Sequence, residues 1–260
     1  MTPDILCERD GPIATVTLFN PDKLNAVTAA MWRRLKEVMD ELSVDDALRC
    51  VVIRGEGRAF AAGGDIEEFA TLRATLEQAR VYHGEWVAGA LAAIAECRHP
   101  TVAAIEGPCI GGGLEIAAAC DLRIAGEGAK FGAPIMRLGF AMYAGELAGL
   151  LALAGPATVL EILLEGRVLT AREACAKQLV TRVVADVEVQ VEALATARRI
   201  VAGAPLVARI HKRLVRRLTG AARDFSTDEL RENFAFLEST DYREGLAAFF
   251  DKRAPHFTGT

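Results

Sequence analysis

The chain has 260 residues, 52% of them hydrophobic but only 6% aromatic, and a net charge of −5. High apolar content at low net charge excludes a disordered chain, and the isoelectric point near 5.5 argues against a general nucleic-acid binder. With 46 alanines and 23 glycines, the apolar mass is small and aliphatic, suited to close packing of backbone against backbone.

Residues 1–4 lack a basic, then apolar, leader pattern, so no signal peptide is expected and a cytoplasmic location is. Two runs, 5–8 and 13–19, flank Asp10-Gly11 and predict a β-hairpin. Thr28 predicts the cap of a helix that carries Met31, Leu35, Val38, Met39 and Leu42 on one face. A short buried strand is expected over 50–54, a long helical stretch over roughly 66–97 and another strand over 101–105. A glycine turn, a small-residue helix near 112–119 and a strand over 121–125 follow. Such alternation implies α/β layers.

The most apolar run, 147–160, is interrupted by Gly155-Pro156, so no membrane span is expected. From about Pro156 onward nearly every segment reads as helix. Val207, Ile210, Leu214 and Leu218 form a stripe opposite Arg209, Lys212, Arg213, Arg216 and Arg217, a face expected to be solvated. Six scattered cysteines without a C-x-x-C spacing give no metal site.

Two segments carry chemistry. One is 58–66 (RAFAAGGDI); the other is 105–116 (IEGPCIGGGLEI). Each runs from a strand into glycines. Adjacent glycines let backbone approach a ligand, and a following helix presents free N–H groups to it. Neither a P-loop nor a dinucleotide fingerprint is present. Two separate loops suit two N–H donors converging on one oxygen; tight packing of small residues is the alternative. Glu115 lies in a helix apolar on every side, where a carboxylate is costly unless partnered. It could act as a base beside a bound acyl group. His83, His99, His211 and His256 sit in no triad-like setting and read as structural or exposed.

These segments resemble the crotonase, or enoyl-CoA hydratase/isomerase, superfamily across nearly the whole chain. The matching blocks are 20–26 (NPDKLNA), the two glycine segments, 131–134 with 138–139, and 244–253 (EGLAAFFDKR). The resemblance implies an α/β spiral of ββα units over 1–200. It also implies a helical C-terminal region over 201–260, used for trimer assembly and as a cover for coenzyme A. A homotrimer or dimer of trimers is expected, with no nucleic-acid or membrane partner. The substrate implied is an acyl-CoA thioester, coenzyme A being part of the substrate and no separate cofactor being needed.

By the same resemblance, the N–H groups of Gly64 and Gly112 polarise the thioester carbonyl and Glu115 is the acid/base. Lys23, Ala26, Ala62, Asp65 and Ile66 contact coenzyme A. Phe249 and Lys252 reach it from a neighbouring subunit.

The sequence departs from the pattern at Ile135, where hydratases carry a second acid. Tyr143 lies near a position where related isomerases place an Asp and decarboxylase-like members a Tyr, and is a catalytic candidate. Glu146 is an extra acid nearby, expected on the helix surface; hydration would need it, Tyr143 or a bound water to replace the missing acid. A lone base suits double-bond isomerisation better than hydration. A malonyl-type decarboxylase and a non-catalytic acyl-CoA binder are the alternatives. The acyl pocket is expected to involve 70–86 and 136–143.

Overall fold

The computed structural model describes residues 2–219, 228 and 235–260. Strands β1 (Asp4–Asp10) and β2 (Ile13–Phe19) form the expected antiparallel hairpin. Helix α1 (Ala29–Ser43) starts at Thr28, whose hydroxyl accepts the Met31 N–H at 3.2 Å, and it buries all five expected apolar residues. Beyond it run β3 (Cys50–Gly55), β4 (Thr101–Ile105), β5 (Pro108–Ile110), α5 (Gly112–Ala119), β6 (Leu122–Gly126) and β7 (Lys130–Gly132).

Among the described residues this order builds two sheets. One has six strands, β1-β2-β3-β4-β6-β9, parallel beyond the hairpin; the other has three, β5-β7-β8. Here β8 is Val168–Thr170 and β9 is Arg182–Val184. The central turns of the chain contribute a strand to the large sheet, a strand to the small one, and then a helix. β4-β5-α5 and β6-β7-α6 are two such units, α6 being Ala144–Leu164. An isolated bridge from Ala61 to Cys109 of β5 adds the turn after β3 to the small sheet. This is the expected α/β spiral of ββα units.

Three expectations need correction. The stretch 66–97 is not one helix. It breaks into a turn at Ile66–Glu68, α2 (Phe69–Leu72), α3 (Leu76–Ala79), a π-helical segment at Arg80–Val87 and α4 (Ala88–Glu96). The break falls at Arg73, and Thr75 starts a new helix with a capping box to Gln78. The C-terminal third is not all helix either. It contains β8 and β9, three residues each and too short for periodicity to show. Helices α7 (Ala171–Ala176), α8 (Val189–Val201), α9 (Pro205–Thr219) and α10 (Thr240–Phe250) complete the described chain. Lastly, the basic face of α9 is partly docked. Lys212 and Arg216 bond Asp121 at 2.8 and 3.0 Å, while of the expected apolar stripe Ile210 is buried and Leu218 exposed.

Helix α6 is long and apolar enough to cross a membrane by length and composition. Its backbone, however, breaks at Gly155 (φ 71°, ψ 168°), where the sequence interruption was expected, and only a minority of its residues are buried.

Candidate active site

The site follows from the spiral. The Ala61–Cys109 bridge lays the first glycine loop alongside β5, so Ala62, Gly63 and Gly64 come next to Gly111 and Gly112. Val27 receives a bond from neither group of Gly64. Instead its N–H donates to Gly63 O at 2.8 Å and its carbonyl accepts from Asp65 N at 3.0 Å. Gly64's own N–H therefore faces away from Val27 and donates to no described residue. Gly111 takes φ 49°, a left-handed turn that favours glycine, and starts α5. The Gly112 N–H lies in the first turn, which has no intrahelical acceptor. A methyl group on Gly112 would sit 3.5 Å from Gly64 N and 2.8 Å from the Trp32 ring. The two N–H groups are thus neighbours on a surface with no room for side chains.

These loops form one wall of a cavity of about 250 Å³. Other walls are Trp32, Phe69, Tyr82 and Val87 on one side and Pro134, Ile135, Leu138, Phe140 and Met142 on the other. Trp32 Nε1 and Tyr82 Oη are buried together at this wall.

Two carboxylates close the cavity. Glu115, on the first turn of α5, is 8% exposed, and Glu146, on the first turn of α6, is 5% exposed. Burial first, and the Glu146 charge second, push the Glu115 carboxyl well above the usual carboxylate range. Glu146 is held differently. Its Oε1 lies 2.7 Å from His83 Nδ1, and its Oε2 accepts the Tyr143 N–H at 3.3 Å. On the far side a larger cavity of about 700 Å³ opens between α4, α5, α6 and α9, and both carboxylates line it too.

The structure thus corrects two residue readings. Glu146 is not a helix-surface acid, because α6 turns its first turn inward against the π-helical segment. His83, read as structural or exposed, is part-buried and lies between Arg73 and Glu146. Conversely, Tyr143 is 44% exposed and does not line the smaller cavity; its backbone, not its ring, meets Glu146. Ile135 lines the cavity as an apolar wall where the second acid was missed.

The expected coenzyme A residues are dispersed. Ala62 and Ile66 line the cavity. Lys23 donates to Asp65 and Glu67 at 2.8 Å each, and Asp65 caps the turn that begins at Ile66. Ala26 is buried. Phe249 is 77% exposed and Lys252 is exposed with φ 54°. Neither lines either cavity. Among the described residues, no cluster of side chains could hold a metal ion.

A spiral of ββα units with a glycine-lined, carboxylate-closed cavity defines a crotonase-fold protein. The chain belongs to the enoyl-CoA hydratase/isomerase family: that family's model matches residues 8–260. It is 37% identical over 257 residues to a probable enoyl-CoA hydratase of Mycobacterium tuberculosis, covering 98% of this chain and 97% of the relative. It is similar to the crystal structure of an enoyl-CoA hydratase/carnithine racemase from Magnetospirillum magneticum. That match has 49% identity and a TM-score of 0.95, over 98% of this chain and 96% of the other. A family protein of Hyphomonas neptunium matches at 36% identity and a TM-score of 0.93, over 98% of each chain.

Proposed function

We propose that the protein catalyses reversible hydration of a 2-enoyl-CoA thioester, with Glu115 and Glu146 as its acid–base pair. The observation that carries this reading is the convergence of the two carboxylates in the cavity that holds Gly64 and Gly112. The thioester oxygen would accept the two glycine N–H bonds. Such donors stabilise the enolate that forms when a nucleophile adds to the β-carbon, each worth about 3 kcal/mol of barrier. One carboxylate takes a proton from water as its oxygen bonds to the β-carbon. The other delivers a proton to the α-carbon, and the double bond is consumed.

Two carboxylates can hold a water between them, which a lone base cannot. Glu146 therefore supplies what Ile135 removes, and hydration is favoured over isomerisation. The decarboxylase reading has less support. Tyr143 lies outside the smaller cavity, and the Glu146 charge would repel a substrate carboxylate. Coenzyme A is read as part of the substrate, lying over Lys23, Ala26, Ala62, Asp65 and Ile66, with Phe249 and Lys252 supplied by a neighbouring copy. Assembly as a trimer or dimer of trimers is supported by exposed Leu151, Leu160 and Leu164 on α6 and by Phe249 and Phe250 on α10. A cytoplasmic location is part of the same proposal.

The test is turnover of crotonyl-CoA and of a 3-enoyl-CoA, followed through the thioester chromophore. Hydration of crotonyl-CoA by the wild type is expected. Turnover of the 3-enoyl thioester alone would support isomerisation instead.

A further inference from the structure

We infer that Arg73 and His83 are positioning residues that divide the acid and base roles within the carboxylate pair, making Glu146 the base that activates water and Glu115 the acid. This rests on reading Glu115 and Glu146 as the catalytic pair.

The argument is one of donors and acceptors. His83 Nε2 lies 3.1 Å from Arg73 Nη1, and His83 Nδ1 lies 2.7 Å from Glu146 Oε1. A guanidinium can only donate. His83 Nε2 must therefore accept, so it carries no proton. The ring is then the neutral tautomer with its proton on Nδ1, and that proton is donated to Glu146. The second Glu146 oxygen also accepts, from the Tyr143 N–H at 3.3 Å. With both oxygens accepting, Glu146 is oriented as the proton acceptor of the pair. No described side chain donates to Glu115, which keeps its proton more readily.

Arg73 is itself locked. Its guanidinium carbon lies 3.7 Å from the Phe69 ring centre and 4.0 Å from that of Phe140. Stacking on both faces leaves the edge of the fork to meet His83. The break after α2 puts Arg73 there, and the π-helical segment presents Tyr82 and His83 to the cavity.

The other charged or titratable groups around the pair do not compete. Tyr82 is on the same segment as His83. Across the larger cavity stand His211, Lys212 and Arg216 of α9, with Asp121 and Arg123. Lys212 and Arg216 are engaged by Asp121, and Arg123 donates to the carbonyls of Ala117, Cys120 and Asp121. Among the described side chains, His83 alone donates to Glu146.

The experiment compares His83→Phe, His83→Asn and Arg73→Met with the wild type on crotonyl-CoA, each variant checked by thermal melting. His83→Phe removes the donor and is expected to lower kcat about tenfold to hundredfold with little change in KM. His83→Asn keeps a donor near the Nδ1 position and is expected to recover most of that loss. Arg73→Met removes the donor to Nε2 and leaves the His83 tautomer and ring orientation unfixed. The ring is then no longer fixed as a donor to Glu146, and kcat is expected to fall with KM retained.

Wild-type kcat in His83→Phe, equal losses in Phe and Asn variants that both melt as the wild type does, or wild-type kcat in Arg73→Met would overturn the inference. Glu146→Gln separates this from failure of the underlying reading. If it loses turnover while the His83 and Arg73 variants do not, the pair stands and the positioning role falls. If it turns over at the wild-type rate, both fall.

Discussion

A carboxyl in the position of Glu115 is expensive to ionise, because burial and a second carboxylate both oppose its charge. Its folded-state pKa is raised, so between the ordinary carboxylate range and the raised value the folded protein binds the extra proton. Stability must then fall as pH rises through that window. Replacing Glu115 by Gln is expected to raise the melting temperature at pH 8 and leave it nearly unchanged at pH 4; an equal rise at both would contradict this. His99 has the opposite sign. Burial, then Arg209 and Arg98, lower its pKa from 6.5 to about 4. Its contribution is complete above 6.5 and is lost as pH falls towards 4, so His99→Gln should flatten the acid side of a melting-temperature profile. At Gly112 an added methyl would meet the Trp32 ring at 2.8 Å beside Gly64 N. Gly112→Ala is expected to cost roughly 10²–10³ in kcat, measured on crotonyl-CoA. Glu115 and the two glycine loops were legible in sequence because a carboxylate amid small apolar residues is locally conspicuous. Glu146 was legible only as an extra acid that hydration would need; its burial was not, because its partner His83 is 63 residues away and α6 is apolar on most sides.

At the scale of elements, the informative departures are where winding changes. A π-helical segment has no sequence signature, yet it brings Tyr82 and His83 to the cavity wall, in keeping with the tendency of such segments to occur at functional sites. The break at Arg73 is likewise hidden in a stretch of helix-forming residues; only Thr75 and Gln78, three apart, mark the restart. By contrast α1 was readable from its periodicity and cap. Thr28→Ala removes the acceptor of the Met31 N–H and is expected to cost about 1 kcal/mol in chemical denaturation, with the slope of the transition unchanged. The short strands β8 and β9 escaped because three residues show no alternation, and their place is set by pairing with β7 and β6.

At the scale of the whole molecule, the spiral brings distant segments together by repetition. One parallel bridge, Ala61 to Cys109, aligns two loops that lie about fifty residues apart in the chain. The order of ββα units was implied by the family resemblance, whereas packing of α6 over the helices before β4 was not. The same helix leaves Leu151, Leu160 and Leu164 exposed, an apolar face suited to a second copy. Light scattering coupled to gel filtration is expected to give three or six times the 27.9 kDa protomer mass; a monomer at micromolar concentration would contradict the assembly reading. The central claim is that Glu146, and not a residue at position 135, completes the catalytic pair. Its most direct test is the steady-state hydration of crotonyl-CoA by Glu146→Gln. A loss of about 10²–10⁴ in kcat, with thioester binding retained, is predicted. Turnover at the wild-type rate would contradict the claim.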